Sequence, residues 1–157
     1  MRPIKFRGKW VGDRVAGTTA DKWEYGCLAF GEGYYYILSP SSPAVGWFQM
    51  KRVSPETIGQ YTGFTDEDGE DIYEGDWVEW SEYEYSRFPG RAPKRVTVRG
   101  HIIFNEGAWI IASKSGARYL DRHVLEAGYG CEGYGRENKV RIIGNIHDNP
   151  ELLEVSP

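Results

Sequence analysis

The sequence predicts a mostly β protein whose second part closes into a small barrel, and three observations carry that expectation. Aromatic residues make up 15% of the 157 residues, with 11 Tyr and 6 Trp, a surplus that suits half-buried pleated surfaces. Twenty glycines break the chain into short apolar runs and leave little room for long helices. Arg95 to Phe104 alternates with a period of two: Val96, Val98, Ile102 and Phe104 face one way, Arg95, Thr97, Arg99 and His101 the other.

Taken in order, Ile4 to Val11 alternates apolar with basic residues, slips by one at Gly8, and ends at Gly12-Asp13, as a half-buried strand does. Trp23 to Phe30 and Tyr34 to Leu38 form a hairpin about Gly31-Glu32-Gly33. Tyr34-Tyr35-Tyr36 puts rings on both faces of that strand, so both faces are expected to be covered. Pro40 and Pro43 hold an extended connection, and Trp47 to Val53 is a further strand. Ser54-Pro55-Glu56-Thr57 offers a cap and a proline for one helical turn before Gly59. The chain is expected to divide there into an N-terminal β-rich lobe, residues 1–58, and a barrel domain, residues 59–157.

Gln60 to Trp80 organises the second part. Asp68-Gly69 is a tight reversing turn and Glu74-Gly75-Asp76 a second, giving strand, turn, short strand, turn, long strand. Trp77 to Tyr85 and Arg95 to Phe104 make a long hairpin joined by Phe88-Pro89-Gly90. Asn105-Glu106-Gly107 turns the chain into Ala108 to Ala112, an apolar run short enough for a fully buried strand. Arg118 to Ala127 is ambiguous in pattern, and Leu120 and Val124, four apart, allow a short helix there. Lys139 to Ile146 is the last strand, and Asn149-Pro150 caps a final helical turn. Five strands after residue 70, in meander order, suit a closed barrel.

Composition narrows the function classes. A net charge of −4 gives no general attraction for phosphate backbones, although a local basic patch could still bind one. Cys27 and Cys131 are too few for a disulfide scaffold and lack metal-type spacing, which fits a reducing compartment. The N-terminus has no apolar run of signal-peptide type, and no segment approaches the ~20 apolar residues of a membrane helix. A soluble, cytoplasmic protein is expected.

Gln60-Tyr61-Thr62-Gly63-Phe64, Asp68-Gly69 and Ile72-Tyr73-Glu74-Gly75-Asp76-Trp77-Val78 together resemble the signature of the YopX family of phage and prophage proteins. Ile4-Lys5-Phe6-Arg7 is similar to that family's opening, and Ile143 to Leu152 to its close. The Gly- and Tyr-rich insertions at residues 81–95 and 127–137 depart from it. The resemblance implies a phage context, a bacterial host cytoplasm and a fold like an SH3-type barrel. It implies no reaction and no cofactor.

Four constellations could carry function. Asp66, Glu67, Asp68, Glu70, Asp71, Glu74 and Asp76 crowd one turn, but the Gly and Glu offsets of a calcium loop fail there. A solvated acidic turn that guards an edge explains them better. Residues 66–84 hold ten acids and no base, whereas residues 87–99 hold Arg87, Arg91, Lys94, Arg95 and Arg99 and no acid. With Tyr83, Tyr85 and Phe88 alongside, this basic arm could line a groove for single-stranded nucleic acid. In one hairpin, however, Glu79, Glu82 and Glu84 would lie across from Arg95 and Arg99 and satisfy them.

Cys131 with His101, His123 or His147 is the nearest approach to a nucleophile and base. Nothing in the spacing joins them, and a loop as glycine-rich as Gly128 to Gly135 would hold a nucleophile poorly. Asp121-Arg122-His123 reads as a surface segment. The fourth constellation is the aromatic surplus itself, since exposed rings mark interfaces. The expectation is therefore a non-enzymatic accessory protein without cofactor or metal, interacting with itself or with a phage or host protein. Tyr83, Tyr85, Phe88, Tyr129 and Tyr134 are its candidate contact residues. Single-stranded nucleic-acid binding through Arg87, Arg91, Lys94, Arg95 and Arg99 is the alternative.

Overall fold

The computed structural model describes residues 3–12, 21–40, 48–84, 90, 92–114, 116–121 and 140–154, with the backbone alone for 82–84 and 153–154. The chain forms two compact units, Met1–Gly63 and Phe64–Pro157.

The first unit holds β1 (Phe6–Lys9), β2 (Trp23–Gly31), β3 (Tyr34–Pro40), β4 (Phe48–Val53), a 3₁₀ turn at Pro55–Thr57 and most of β5 (Gly59–Thr65). The strands lie in the order β4-β3-β2-β1-β5, all antiparallel where paired, and β6 (Asp71–Tyr73) takes the place beyond β5. Alternation sorts the side chains. Ile37 and Val53 are 0% and 2% exposed on one face, where Gly8 lets Val53 approach β1 closely. A bridge, Trp10 to Val53, ties the end of β4 back toward β1. On either side of it, Val11 N–H donates to the Arg52 carbonyl at 3.1 Å and Ser54 N–H to the Lys9 carbonyl at 2.9 Å.

The second unit holds β7 (Asp76–Glu84), β8 (Lys94–Asn105), β9 (Ala108–Ser113), β10 (Gly116–Tyr119), β11 (Arg141–Asn145) and the terminal helix α1 (Glu151–Glu154). Its sheet runs β10-β9-β8-β7-β11. Val78, Trp80, Ile102, Trp109 and Ile111 of this sheet pack with Ile72, Leu120 and Val140 into the core. Among the described residues neither sheet is closed: β11 pairs β7 and β10 pairs β9, so the five-stranded sheet ends at β10 and β11. The mostly β class holds, and the expected closed SH3-like barrel is replaced by open antiparallel sheets.

Within the segment where a short helix was expected, Arg118 and Tyr119 are strand residues paired with Ile111 and Ile110, whereas Asp121 is helical. The rest of that expected helix, residues 122–127, lies outside the described residues. Tyr34 and Tyr35 remain exposed, so the two faces of β3 are not both covered.

The hairpins β2–β3 and β8–β9 share one turn chemistry. Glu32-Gly33 and Glu106-Gly107 have φ values of 52°, 80°, 50° and 83°, positive at both central positions as a two-residue reversing turn of matching twist requires. The glycine supplies the second at little cost. Beside each turn lies an aromatic pair, Phe30–Tyr35 at 4.9 Å and Phe104–Trp109 at 4.8 Å between ring centres.

Candidate functional site

The basic arm expected from the sequence falls on β7 and β8, and register decides its fate. Glu79 stands opposite Arg99, Tyr83 opposite Arg95 and Glu84 opposite Lys94. Arg99 Nε lies 2.8 Å from Glu79 Oε2, and Arg141, brought in by β11, places its Nη2 3.0 Å from Oε1. The Glu79 carboxyl is held below its ordinary value, chiefly by the Arg99 hydrogen bond. Burial opposes this, and Arg141 adds to the lowering. Arg99 is thus engaged by a carboxylate rather than held out toward a phosphate. Lys94 and Arg95 are exposed on β8. Arg87, Arg91, Tyr85, Phe88, Tyr129 and Tyr134 lie outside the described residues, as do Cys131 and His123. Of Tyr83, only the backbone position on β7 is described.

On the same hairpin His101 faces Trp77, with ring centres 5.3 Å apart, and burial lowers its pKa. Its Nδ1 and the Trp77 indole nitrogen are both buried without a hydrogen-bond partner. His147 lies elsewhere, its backbone N–H donating to Asn145 Oδ1 at 2.9 Å. Among the described residues no group of three or more His, Cys, Asp or Glu could hold a metal ion. Asp66 spends its carboxylate on backbone instead. Its Oδ1 accepts from the N–H groups of Asp68 and Glu70, both at 2.9 Å, and its Oδ2 from Ile142 at 3.2 Å.

The segments singled out in sequence meet through Asp76, which is 2% exposed. Its Oδ2 accepts from Tyr73 N–H at 2.8 Å and its Oδ1 from Asn145 Nδ2 at 3.3 Å. Asn145 N–H in turn donates to Asn149 Oδ1 at 3.2 Å. A buried carboxylate is retained only where such donors replace its water. The arrangement locks Glu74-Gly75-Asp76 to the last strand, and its role is structural.

Among the described residues the most exposed apolar surface is in the first unit. Cross-strand register sets Tyr36 beside Arg52, Leu38 beside Met50 and Pro40 beside Phe48. Cys27 and Ala29 continue the rows on β2. This is the face of the sheet opposite to Ile37 and Val53. Phe48 is 67% exposed and Met50 63%; Tyr25, Tyr34 and Cys27 are also exposed. The Arg52 guanidinium lies 3.7 Å from the Tyr34 ring centre, so the face's cation is stacked on its own neighbour. Sequence reasoning flagged Tyr34 but missed Phe48, Met50 and Arg52. Their period-two spacing was visible, yet Val53 and Lys51 on the alternate positions gave no way to tell the covered face from the open one.

These features define a β protein with an exposed aromatic face on its first unit. Residues 36–154 match the family model described as YopX protein, and the chain belongs to the YopX family. A solved structure, the crystal structure of protein EF1440 from Enterococcus faecalis, is similar at 20% identity over 98% of this chain and 99% of that one, with a TM-score of 0.44. No curated protein matches. Among the described residues no helix is long and apolar enough to cross a membrane.

Proposed function

We propose that this YopX-family chain is a non-enzymatic accessory protein, of phage or prophage context, that works by binding protein, a second copy of itself included. One observation carries the reading. Of the ten large hydrophobic residues exposed among the described positions, four lie together on the face of β2, β3 and β4 opposite to Ile37 and Val53: Tyr25, Tyr34, Phe48 and Met50. Contiguous apolar surface is costly to leave in water and marks an interface. The face that carries Phe48 and Met50 also carries Arg52, already stacked on Tyr34, which supports an apolar partner over a phosphate backbone.

The nucleic-acid alternative loses weight where Arg99 pairs with Glu79. Two measurements test the reading together. Sedimentation velocity over a wide concentration range should show a rising mass that falls back when Phe48→Ser and Met50→Ser are combined. Anisotropy of labelled single-stranded oligonucleotides should stay flat even at low salt. A strict monomer whose binding to oligonucleotides weakens steeply with salt and with Lys94→Ala/Arg95→Ala would overturn it.

A further inference from the structure

We infer that two copies of the chain join antiparallel along β4, centred on Gln49, so that the first-unit sheets run continuously through a two-fold axis. This rests on the reading of the protein as a self-associating module and adds the edge, the register and the residues.

The edge comes first. β4 is the terminal strand of its sheet, and among the described residues only its last part is held on the outer side, by the Trp10–Val53 bridge. Because Val11 N–H reaches the Arg52 carbonyl from that side, the Arg52 peptide groups point away from β3. Backbone groups alternate along a strand, so those of Met50 and Phe48 also point outward while those of Gln49 and Lys51 point to β3. Phe48, Gln49 and Met50 are all exposed. They carry no charge, no proline and no bulge, the devices that normally blunt an edge. The opposite end of the sheet, β6, is three residues long and half closed by burial of Ile72 and Tyr73.

The register follows from the same alternation. Centring on Gln49 sets Phe48 opposite Met50 of the second copy, and Met50 opposite its Phe48. Both residues in each pair have outward backbone groups, so each pair exchanges both hydrogen bonds. Gln49 then faces its own copy in the closer, non-hydrogen-bonded spacing, within reach of an amide–amide contact. Centring on Met50 instead would require the Arg52 carbonyl, which Val11 already occupies. The side chains agree with the backbone: phenylalanine meets methionine on the open face twice, and a single patch complements itself, as an isologous interface must.

Charge substitution at the paired positions tests it. Both sites are exposed, so Phe48→Lys and Met50→Glu each leave the fold intact and each should sediment as a monomer. Mixed together they should form a heterodimer. The introduced lysine of one chain then meets the introduced glutamate of the other, and the untouched Met50 meets the untouched Phe48. In a chain with Cys27→Ser and Cys131→Ser, Gln49→Cys should cross-link to itself on oxidation, because the facing Cα atoms would sit about 4.5 Å apart, within disulfide reach. Association that survives Phe48→Lys and Met50→Glu, a mixture that stays monomeric, or Gln49→Cys that fails to cross-link overturns this register while leaving self-association standing. A wild-type monomer at every concentration overturns both.

Discussion

Asn145 Nδ2 donates to Asp76 Oδ1 at 3.3 Å, joining two side chains 69 residues apart in sequence and both nearly enclosed. The contact fastens the turn before β7 to the end of β11, the strand pair in which Asn145 and Asp76 are also register partners. Asp76→Ala should therefore cost more than an ordinary surface change. It strips the Tyr73 N–H of its acceptor, and leaving a buried donor unpaired costs about 1–3 kcal/mol. Urea unfolding of wild type and variant, compared at equal slope, measures it. A change within experimental error would mean the amide finds another partner.

Acid should weaken the second unit in two stages. Burial lowers the His101 pKa below 6.5, so the folded state prefers the neutral ring. That preference is fully present above 6.5 and is lost as pH falls from there toward the folded value. Glu79, also lowered, contributes stability above 4.5 that is lost as pH falls through its folded value. Urea midpoints measured from the neutral range into acid should show both losses. His101→Gln should remove the upper stage and Glu79→Gln the lower. Unchanged profiles would sink both assignments.

In the first unit, Lys9 N–H donates to Thr57 Oγ1 at 2.8 Å, and that hydroxyl donates to the Ser54 carbonyl at 2.7 Å. One small side chain thus pins the 3₁₀ turn to β1. Thr57→Val keeps the shape and removes both bonds, with an expected cost of about 1–3 kcal/mol. Hydrogen exchange at the Lys9 amide should accelerate in step, because the buried amide loses the Thr57 acceptor while the strand remains.

Gly107 sits at φ 83° in the β8–β9 turn. Gly107→Ala must place a Cβ in the left-handed region, at about 1–2 kcal/mol, although no neighbouring atom stands close enough to obstruct it. Thermal unfolding should register a modest drop in midpoint. A larger one would point to a contact the open surroundings do not contain.

How much of this was legible beforehand differs by feature. The β8 alternation, both Glu-Gly turns and the short β6 could be read because each depends on residues close in sequence. The open ends of the sheets could not. Whether β11 closes against β10 or ends beside β7 depends on long-range packing, and the sequence of Arg141–Asn145 suits either neighbour. The β10 strand was hidden by Leu120 and Val124, whose spacing resembles a helix face. At the candidate surface, the opposed charges of Glu79 and Arg99 hinted at their pairing, whereas Arg141, which lies 62 residues from Glu79, carried no local sign. The open face of β2–β4 was hardest to see, since an exposed strand and a half-buried one write the same alternating pattern.

The pairing of β11 with β7 also has a consequence for synthesis. Of the five strands in that sheet, the one that fills the outer flank of β7 emerges from the ribosome last, so β7 must wait with that flank open while the intervening hairpins form. Local hairpins close quickly, but a pairing across so long a loop is slow and waits until Asn145 has been made. Nascent protein truncated before Arg141 should accordingly be recognised by chaperones, and Arg141–Asn145 serves as the latch that ends that vulnerable interval.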